Sequence, residues 1–411
     1  MSTQFDYDVI IVGGGIIGTS MACALGDIGF KTALIDANEP QVNWPYDGFD
    51  NRVSAITIAS QHIFESLKAW PLIKARRISP YSEMHVWDKD GFGEIHFDCA
   101  STGHAQLGYI IENKVILGGL LERLSALENV AYLKPVRCHS LSINSHVAEL
   151  KLTNGQHLTA PLLIGADGSH SWVRQQQNID CTGWQYQQHG IVCTVTTQHH
   201  HQHTAWQRFL PHGPLAFLPL NDGYCSVVWS NTSSEAEQLL ALTDTQFIQA
   251  MQQALGDSPL GNIETITQRA AFPLRFQHAN HYTKSRLALI GDAAHTVHPL
   301  AGQGANLGLL DVAQLTETLF HARQKRWDIG SSIVLRKYER ARKGDNLIMM
   351  STVDGLKRLF GNSTKSLSLI RNLGLTLTNA TPLVKNQLIK HAMGITNNLP
   401  TLAKGQPLNE A

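Results

Sequence analysis

Three times along this chain a short apolar run breaks on a glycine turn. The first run, Asp8-Val9-Ile10-Ile11-Val12, meets Gly13-Gly14-Gly15-Ile16-Ile17-Gly18, which predicts a buried strand entering a tight turn. Thr19 to Leu25 favours helix, and a second apolar run, Thr32-Ala33-Leu34-Ile35, ends in Asp36. Leu162-Leu163-Ile164-Gly165 likewise opens onto Ala166-Asp167-Gly168-Ser169, and Leu287-Ala288-Leu289-Ile290 onto Gly291-Asp292-Ala293-Ala294-His295, with a helix expected from Leu307 to Phe320. Between the second and third motifs the period changes. The β-branched runs 190–196, 214–220 and 225–230, parted by turns such as Asn221-Asp222-Gly223, predict an antiparallel sheet. From Ser331 onward the pattern is helical.

The first motif is Gly-x-Gly-x-x-Gly set between a strand and a helix, with a second strand and an acid after it. Each part has a physical task in holding a dinucleotide. Gly13 permits the sharp turn, Gly15 lets backbone amides approach a pyrophosphate, and Gly18 lets helix and strand pack closely. The helix N-terminus adds partial positive charge and unpaired N–H donors. Asp36, 18 residues past Gly18, suits a ribose hydroxyl and disfavours a 2′-phosphate, so FAD or NAD is preferred to NADP. This element does not distinguish FAD from NAD. Strands ending in Gly-Asp turns at Asp167 and Asp292 put carboxylates and bare amides at the sheet edge where open α/β folds bind ligands.

Length and charge narrow the function classes. At 411 residues two or three structural units are expected. Hydrophobic residues at 43% allow a sizeable core, whereas charged residues reach only 16%. The formal net charge of +0 excludes a strongly basic nucleic-acid binder and a highly charged disordered chain. The zero is a sum. From residue 331 on, twelve Lys and Arg face four Asp and Glu, an excess of +8 balanced by −8 before it. Six scattered cysteines without a Cys-x-x-Cys pair argue against a disulfide framework or a zinc site. The run His199-His200-His201-Gln202-His203 reads as a solvated hairpin tip, and no metal is expected. The acidic start lacks the basic region of a signal peptide and no window offers about 18 apolar residues, so a cytoplasmic protein is expected.

The three motifs together resemble the FAD-dependent aromatic hydroxylases of the para-hydroxybenzoate hydroxylase type. The stretches 84–93, 107–116, 292–308, 335–343 and 387–394 extend the resemblance over nearly the whole chain. They point to the aerobic ubiquinone-biosynthesis hydroxylases, closest to the branch acting on carbon 5 of a 2-polyprenylphenol. The resemblance implies an α/β protein. Residues 1–78, 106–179 and 276–345 would form a Rossmann-like FAD-binding domain, 79–105 and 180–275 an inserted antiparallel β-sheet substrate domain, and 346–411 a C-terminal helical region. It also implies cofactor contacts. Gly13, Gly15, Ile16, Ile17, Gly18 and Asp36 hold the ADP half of FAD. Asp167 and Gly168 serve FAD and a transient NAD(P)H, and Gly291 and Asp292 bind the ribityl chain. Pro299, Gly302, Gly304, Ala305 and Asn306 lie against the flavin ring. Arg52, Glu112 and Asn113 lie close to the cofactor. Many relatives carry Glu where this chain has Asp36.

The implied reaction is ring hydroxylation of a polyprenylphenol through a C4a-hydroperoxide of the reduced flavin, chemistry that asks little of protein acids and bases. His295 and His298 are the candidates for proton transfer, or else satisfy backbone carbonyls. Phe217, Pro219, Trp229 and Phe272 are candidate substrate lining, or ordinary sheet core. Leu383, Val384, Leu388, Ile389 and Ala392 recur at near-helical spacing with Lys385, Lys390 and His391 on other faces. That pattern fits a basic surface meeting anionic lipid peripherally at the inner membrane, or a helix packed on its own domain. Other ubiquinone-biosynthesis proteins and a second copy of the chain are further expected partners; nucleic acid is not. Competing readings are a sister hydroxylase acting at another ring carbon, a flavin reductase of isoprenoid double bonds, and a non-catalytic lipid-binding flavoprotein subunit. Flavin halogenases share the fold but usually carry Trp-x-Trp-x-Ile-Pro, which this chain lacks.

Overall fold

A computed structural model describes residues 5–42, 48–89, 93–296 and 304–360, with shorter pieces between 381 and 408. The four-residue runs Val9–Val12, Thr32–Ile35 and Leu162–Gly165 are buried at every position, as strands covered on both faces must be. They sit in a six-stranded sheet ordered Thr283–Lys284, Leu287–Leu289, Leu162–Gly165, Val9–Val12, Thr32–Ile35, Val130–Leu133. All pairs are parallel except the Thr283–Lys284 edge. Val12, Ile35, Gly165 and Leu289 end in register, so the residues just after them emerge along one edge. Helices Ile16–Asp27, Asn113–Ser125 and Gly304–Gln324 pack together over this sheet, and the long helix Ser332–Phe360 lies against Gly304–Gln324.

The two insertions meet in a single nine-stranded sheet. It is antiparallel except where Thr204–Leu210 pairs in parallel with Glu83–Asp88. Those two strands come from different insertions, so no hairpin dictates their direction. The segment 180–275 also contains two helices, Ser233–Ala241 and Asp244–Leu255, where strand alone was expected. Each starts in a capping box, Thr232 with Glu235 and Thr243 with Gln246, in which side chain and backbone satisfy each other's donors. Their apolar faces cover one face of the sheet and make a second core around Phe217, Trp229, Phe247, Met251 and Leu255.

Several expected boundaries fall inside elements. Strand Ala270–Ala279 crosses 275/276, helix Ser332–Phe360 crosses 345/346, and Ser79–Tyr81 pairs with Gly108–Glu112 rather than with the large sheet. The histidine run is not simply solvated. His201 is buried, donates from Nε2 to the Leu220 carbonyl at 2.8 Å and accepts from His203 N at 3.1 Å. Burial brings its pKa down to about 4, so it stays neutral. In the C-terminal stretch, Ile389 and Met393 are buried in the main core, and Met393 O accepts from Ala59 N at 3.4 Å. That turn packs on its own domain. Leu383, Val384, Leu388, His391 and Ala392 lie outside the described residues. Among the described residues, no helix is long and apolar enough to cross a membrane.

The second core can be tested alone. Phe247→Ala removes a fully buried ring that meets Trp229 at 5.8 Å between centroids. It is expected to cost about 3–5 kcal/mol, read as a lower guanidinium midpoint, while flavin content of the folded protein stays at the wild-type value.

Candidate active site

The first glycine turn is built by exclusion. Gly13 has φ +109°, and a Cβ there would collide with the Ala166 carbonyl. A Cβ on Gly18 would collide with Gly13 O, so strand and helix close on each other as the motif requires. Gly15, by contrast, would meet nothing within 4 Å and faces open space. The helix Ile16–Asp27 that it starts has no side-chain cap and no acid in its first turn, which leaves its amides to an anion. Asp36 stands beside the turn, accepting from Gly14 N at 2.7 Å and from Asn38 N at 2.8 Å. The Tyr132 hydroxyl closes the other side, and a Cβ on Gly14 would lie 2.7 Å from both it and Asp36 Oδ2. Burial, with Asp36 and Glu39 nearby, pushes that phenol up to about 12, so it remains neutral. Ile17 wedges the turn against the third motif, where a Cβ on Gly291 would touch it at 3.2 Å and one on Gly308 at 2.7 Å.

The second motif lies behind the first, Ala166 N donating to Val12 O at 2.8 Å. Asp167 is half-buried and engaged by its own turn. Its carboxylate accepts from Ser171 Oγ at 2.5 Å and Val173 N at 3.0 Å, capping the short helix Trp172–Gln176, and burial raises its pKa. Gly168 has φ +82°, and a Cβ there would meet nothing within 4 Å. Arg174 ties the motif to the third, donating to Ala293 O at 2.8 Å and Ser169 O at 2.9 Å.

In the third motif, Gly291 takes φ +58° and turns the chain so that Asp292 is exposed. Desolvation of its carboxylate raises the pKa, against the pull of His295 and Arg52. His295 is buried and spent on structure, its Nε2 donating to Asp311 Oδ2 at 2.5 Å. Its other ring nitrogen, Nδ1, is buried and has no hydrogen-bond partner among the described residues. The same Asp311 oxygen accepts from Gly291 N at 3.1 Å, while Oδ1 accepts from Arg342 Nε at 2.9 Å. Asp311 and Arg342 are absent from the sequence-level site. The available signal was the spacing Gly304, Gly308, Asp311, which aligns them along one side of a helix.

Gly304 and Ala305 begin the helix Gly304–Gln324 and remain partly accessible. Asn306 is buried. Its Oδ1 accepts from Thr57 N at 3.1 Å and Ser60 Oγ at 2.7 Å, and its Nδ2 donates to Ala55 O at 2.8 Å. This side chain fastens the helix to the 53–60 segment. His298, Pro299 and Gly302 lie outside the described residues. Arg52 is exposed and near enough to Asp292 to lower its pKa, with its guanidinium 5.8 Å from the Phe272 ring centroid. A buried clamp aims it. Glu112 accepts from Asp50 N at 2.6 Å and pairs with Arg77 at 2.7 Å. Asn113 N donates to Arg52 O at 2.9 Å, and Asn113 Oδ1 accepts from Ser54 Oγ at 2.7 Å.

Known proteins resemble this chain over most of its length. Residues 6–344 match the family described as FAD binding domain. The 3-demethoxyubiquinol 3-hydroxylase of Escherichia coli (strain K12) is 37% identical over 393 residues, 96% of this chain and 100% of that protein. The mitochondrial ubiquinone biosynthesis monooxygenase COQ6 of Xenopus tropicalis is 37% identical over 94% of this chain and 93% of its own length. The chain belongs to the FAD-dependent ubiquinone-biosynthesis hydroxylases. The fold is also that of P. aeruginosa PqsL in complex with 2-aminobenzoylacetate, at TM-score 0.76 and 21% identity over 90% of this chain and 100% of that one.

The residues present fit the flavin dinucleotide that members of this family hold. An uncapped helix start, the open approach at Gly15, and the Asp292 carboxylate with the Arg52 guanidinium near it suit a pyrophosphate flanked by polyols. Of the candidate substrate lining in this hydroxylase, Phe217 and Trp229 point the other way, into the core shared with the two insertion helices. Side chains alternate along a strand, so Ala216 and Leu218 take the opposite face, where Leu218 packs on the main core. Pro219 is buried at its strand end, and Phe272 is 36% exposed beside Arg52. Asp292→Ala is expected to purify folded but with most of its FAD lost, read from flavin absorbance per protein; full loading would contradict the placement of Asp292 on the cofactor wall.

Proposed function

We propose that this chain hydroxylates the aromatic ring of a polyprenylphenol, at carbon 5, during ubiquinone biosynthesis, with NAD(P)H as electron donor. The balance is one phenol, one O2, one NAD(P)H and one proton giving the hydroxylated ring, water and NAD(P)+. When bound, FAD supplies the two-electron transfer and the activation of O2. The chain's own residues bind and orient. The turn Gly13–Gly15 and the start of helix Ile16–Asp27 take the pyrophosphate, Asp36 a ribose, and Asp292 with Arg52 the polyol chain. The amides of Gly304 and Ala305 offer a helix dipole to negative charge developing on the ring system. Phe272 and the inner face of the large sheet exclude water from the ring to be oxidised. Asp311 fixes the ring of His295 through Nε2, and the scheme asks no proton transfer of it.

The observation that carries the reading is the extent of likeness. It covers 96% of the chain and the whole of a relative named for hydroxylating a demethoxyubiquinol. That relative's name also favours the second reading, a sister hydroxylase acting at another ring carbon. Profiling quinone intermediates in a strain lacking this chain separates the two. Accumulation of a polyprenylphenol, relieved by the wild-type chain, is expected. Accumulation of a demethoxyquinol moves the reaction to the other carbon, and unchanged ubiquinone overturns both readings.

A further inference from the structure

The surplus of positive charge after residue 330 has a definite place in the fold. Helix Ser332–Phe360 exposes one stripe at spacings of three and four residues. Arg336, Lys337 and Arg340 occupy its centre, with no ion-pair partner among the described residues. Of the three acids on the same helix, Glu339 and Asp354 are turned elsewhere, and Asp345, 68% exposed, stands at the edge of the stripe. Glu339 accepts from Tyr282 N at 3.0 Å and Thr283 Oγ1 at 2.8 Å, Asp345 pairs with Arg342 at 3.6 Å, and Asp354 is buried and accepts from Tyr186 Oη at 2.8 Å.

Apolar side chains bracket the cations. Six large apolar residues stand exposed among the described residues, and four of them belong to this helix or the turn before it. Ile333 is 74% exposed at one end, and Leu347 and Ile348 are 38% and 64% exposed at the other. Trp327, 45% exposed, has Lys337 Nζ at 4.3 Å and Lys325 Nζ at 5.0 Å from its ring centroid. From Ile333 to Ile348 the stripe runs about 22 Å along the axis.

We propose that this stripe is a docking face for an anionic lipid bilayer, with the cations meeting headgroups and Ile333, Ile348 and Trp327 entering the interface. An amphipathic aromatic flanked by lysines suits the headgroup depth, and unpaired basic side chains suit an anionic leaflet. Other occupants fit less well. A nucleic acid would engage the cations and leave the isoleucines in water. A second copy packed face to face would set Arg336, Lys337 and Arg340 against themselves at the centre of the contact. The stripe lies on the helix before residue 361, not in the 383–392 stretch that the sequence pattern singled out.

Flotation of the full-length, FAD-loaded protein with vesicles tests this without reference to turnover, so it stands or falls apart from the proposed reaction. Vesicles of equimolar phosphatidylglycerol and phosphatidylcholine are compared with pure phosphatidylcholine at low and high salt. The wild type is expected to float with the anionic vesicles at low salt. Triple reversal, Arg336→Glu with Lys337→Glu and Arg340→Glu, is expected to weaken partitioning on the order of a hundredfold. Ile333→Ser with Ile348→Ser is expected to remove the portion that survives high salt. All five side chains point outward, so flavin content and circular dichroism should match the wild type. Absence of wild-type flotation overturns the proposal, as does undiminished binding by both variants. So does loss of a dimer in the triple variant by sedimentation velocity, which would assign the stripe to a second copy.

Discussion

A carboxylate taken wholly out of water costs several kcal/mol unless its lone pairs are met, and Asp311 meets that condition with four donors. Gly291 N and His295 Nε2 reach one oxygen, while Arg342 Nε and, at 3.3 Å, Asn346 Nδ2 reach the other. Burial alone would raise this group, but His295 and Arg342 outweigh it and hold the carboxyl below its usual range. The donors come from three places: the turn after strand Leu287–Leu289, helix Gly304–Gln324's neighbour Ser332–Phe360, and the His295–Thr296 strand of the large sheet. Flavin domain, inserted sheet and C-terminal helix are thereby joined at one point. Asp292, one residue from Gly291, takes its direction from that joint.

The cleft in front of the joint is made largely of backbone. Three strands end in register, and each runs into a turn in which glycine is required by collision with a neighbour or by a positive φ. Such turns hold amides where side chains would otherwise stand, and amides bind phosphate and polyol without needing the right pH. The side chains that look reactive are mostly engaged in support: Asp167 caps a helix, His295 serves Asp311, and Glu112 clamps the loop that carries Arg52. A site of this kind positions a cofactor and a ring and leaves the chemistry to the cofactor, consistent with a hydroxylation that needs few protein acids or bases.

The glycine motifs were legible in the chain because the collisions that demand them are set by local geometry, strand then turn then helix. Side-chain roles were not, because they depend on partners far away in sequence. Asn306 is taken up by Thr57, 249 residues earlier, and nothing in the run Gly304-Ala305-Asn306 announces that. Alternation along 213–219 shows that Phe217 and Leu218 take opposite faces; it does not say which face meets the cleft. Helices Ser233–Ala241 and Asp244–Leu255 decide it by covering the Phe217 face. Their capping boxes were readable as Thr-x-x-Glu and Thr-x-x-Gln, but the β-branched runs on either side dominated the pattern.

If one buried carboxylate sets the cofactor wall, weakening it must show in cofactor affinity before it shows in fold. The direct measurement is the FAD dissociation constant of Asp311→Asn, by fluorescence titration of the apoprotein at a temperature where its far-ultraviolet dichroism matches the wild type. The amide keeps the shape and loses the charge that orders Gly291 and His295, so binding must supply that order. A dissociation constant raised by at least about tenfold is expected. A folded Asp311→Asn protein that binds FAD as tightly as the wild type would contradict this role of the carboxylate.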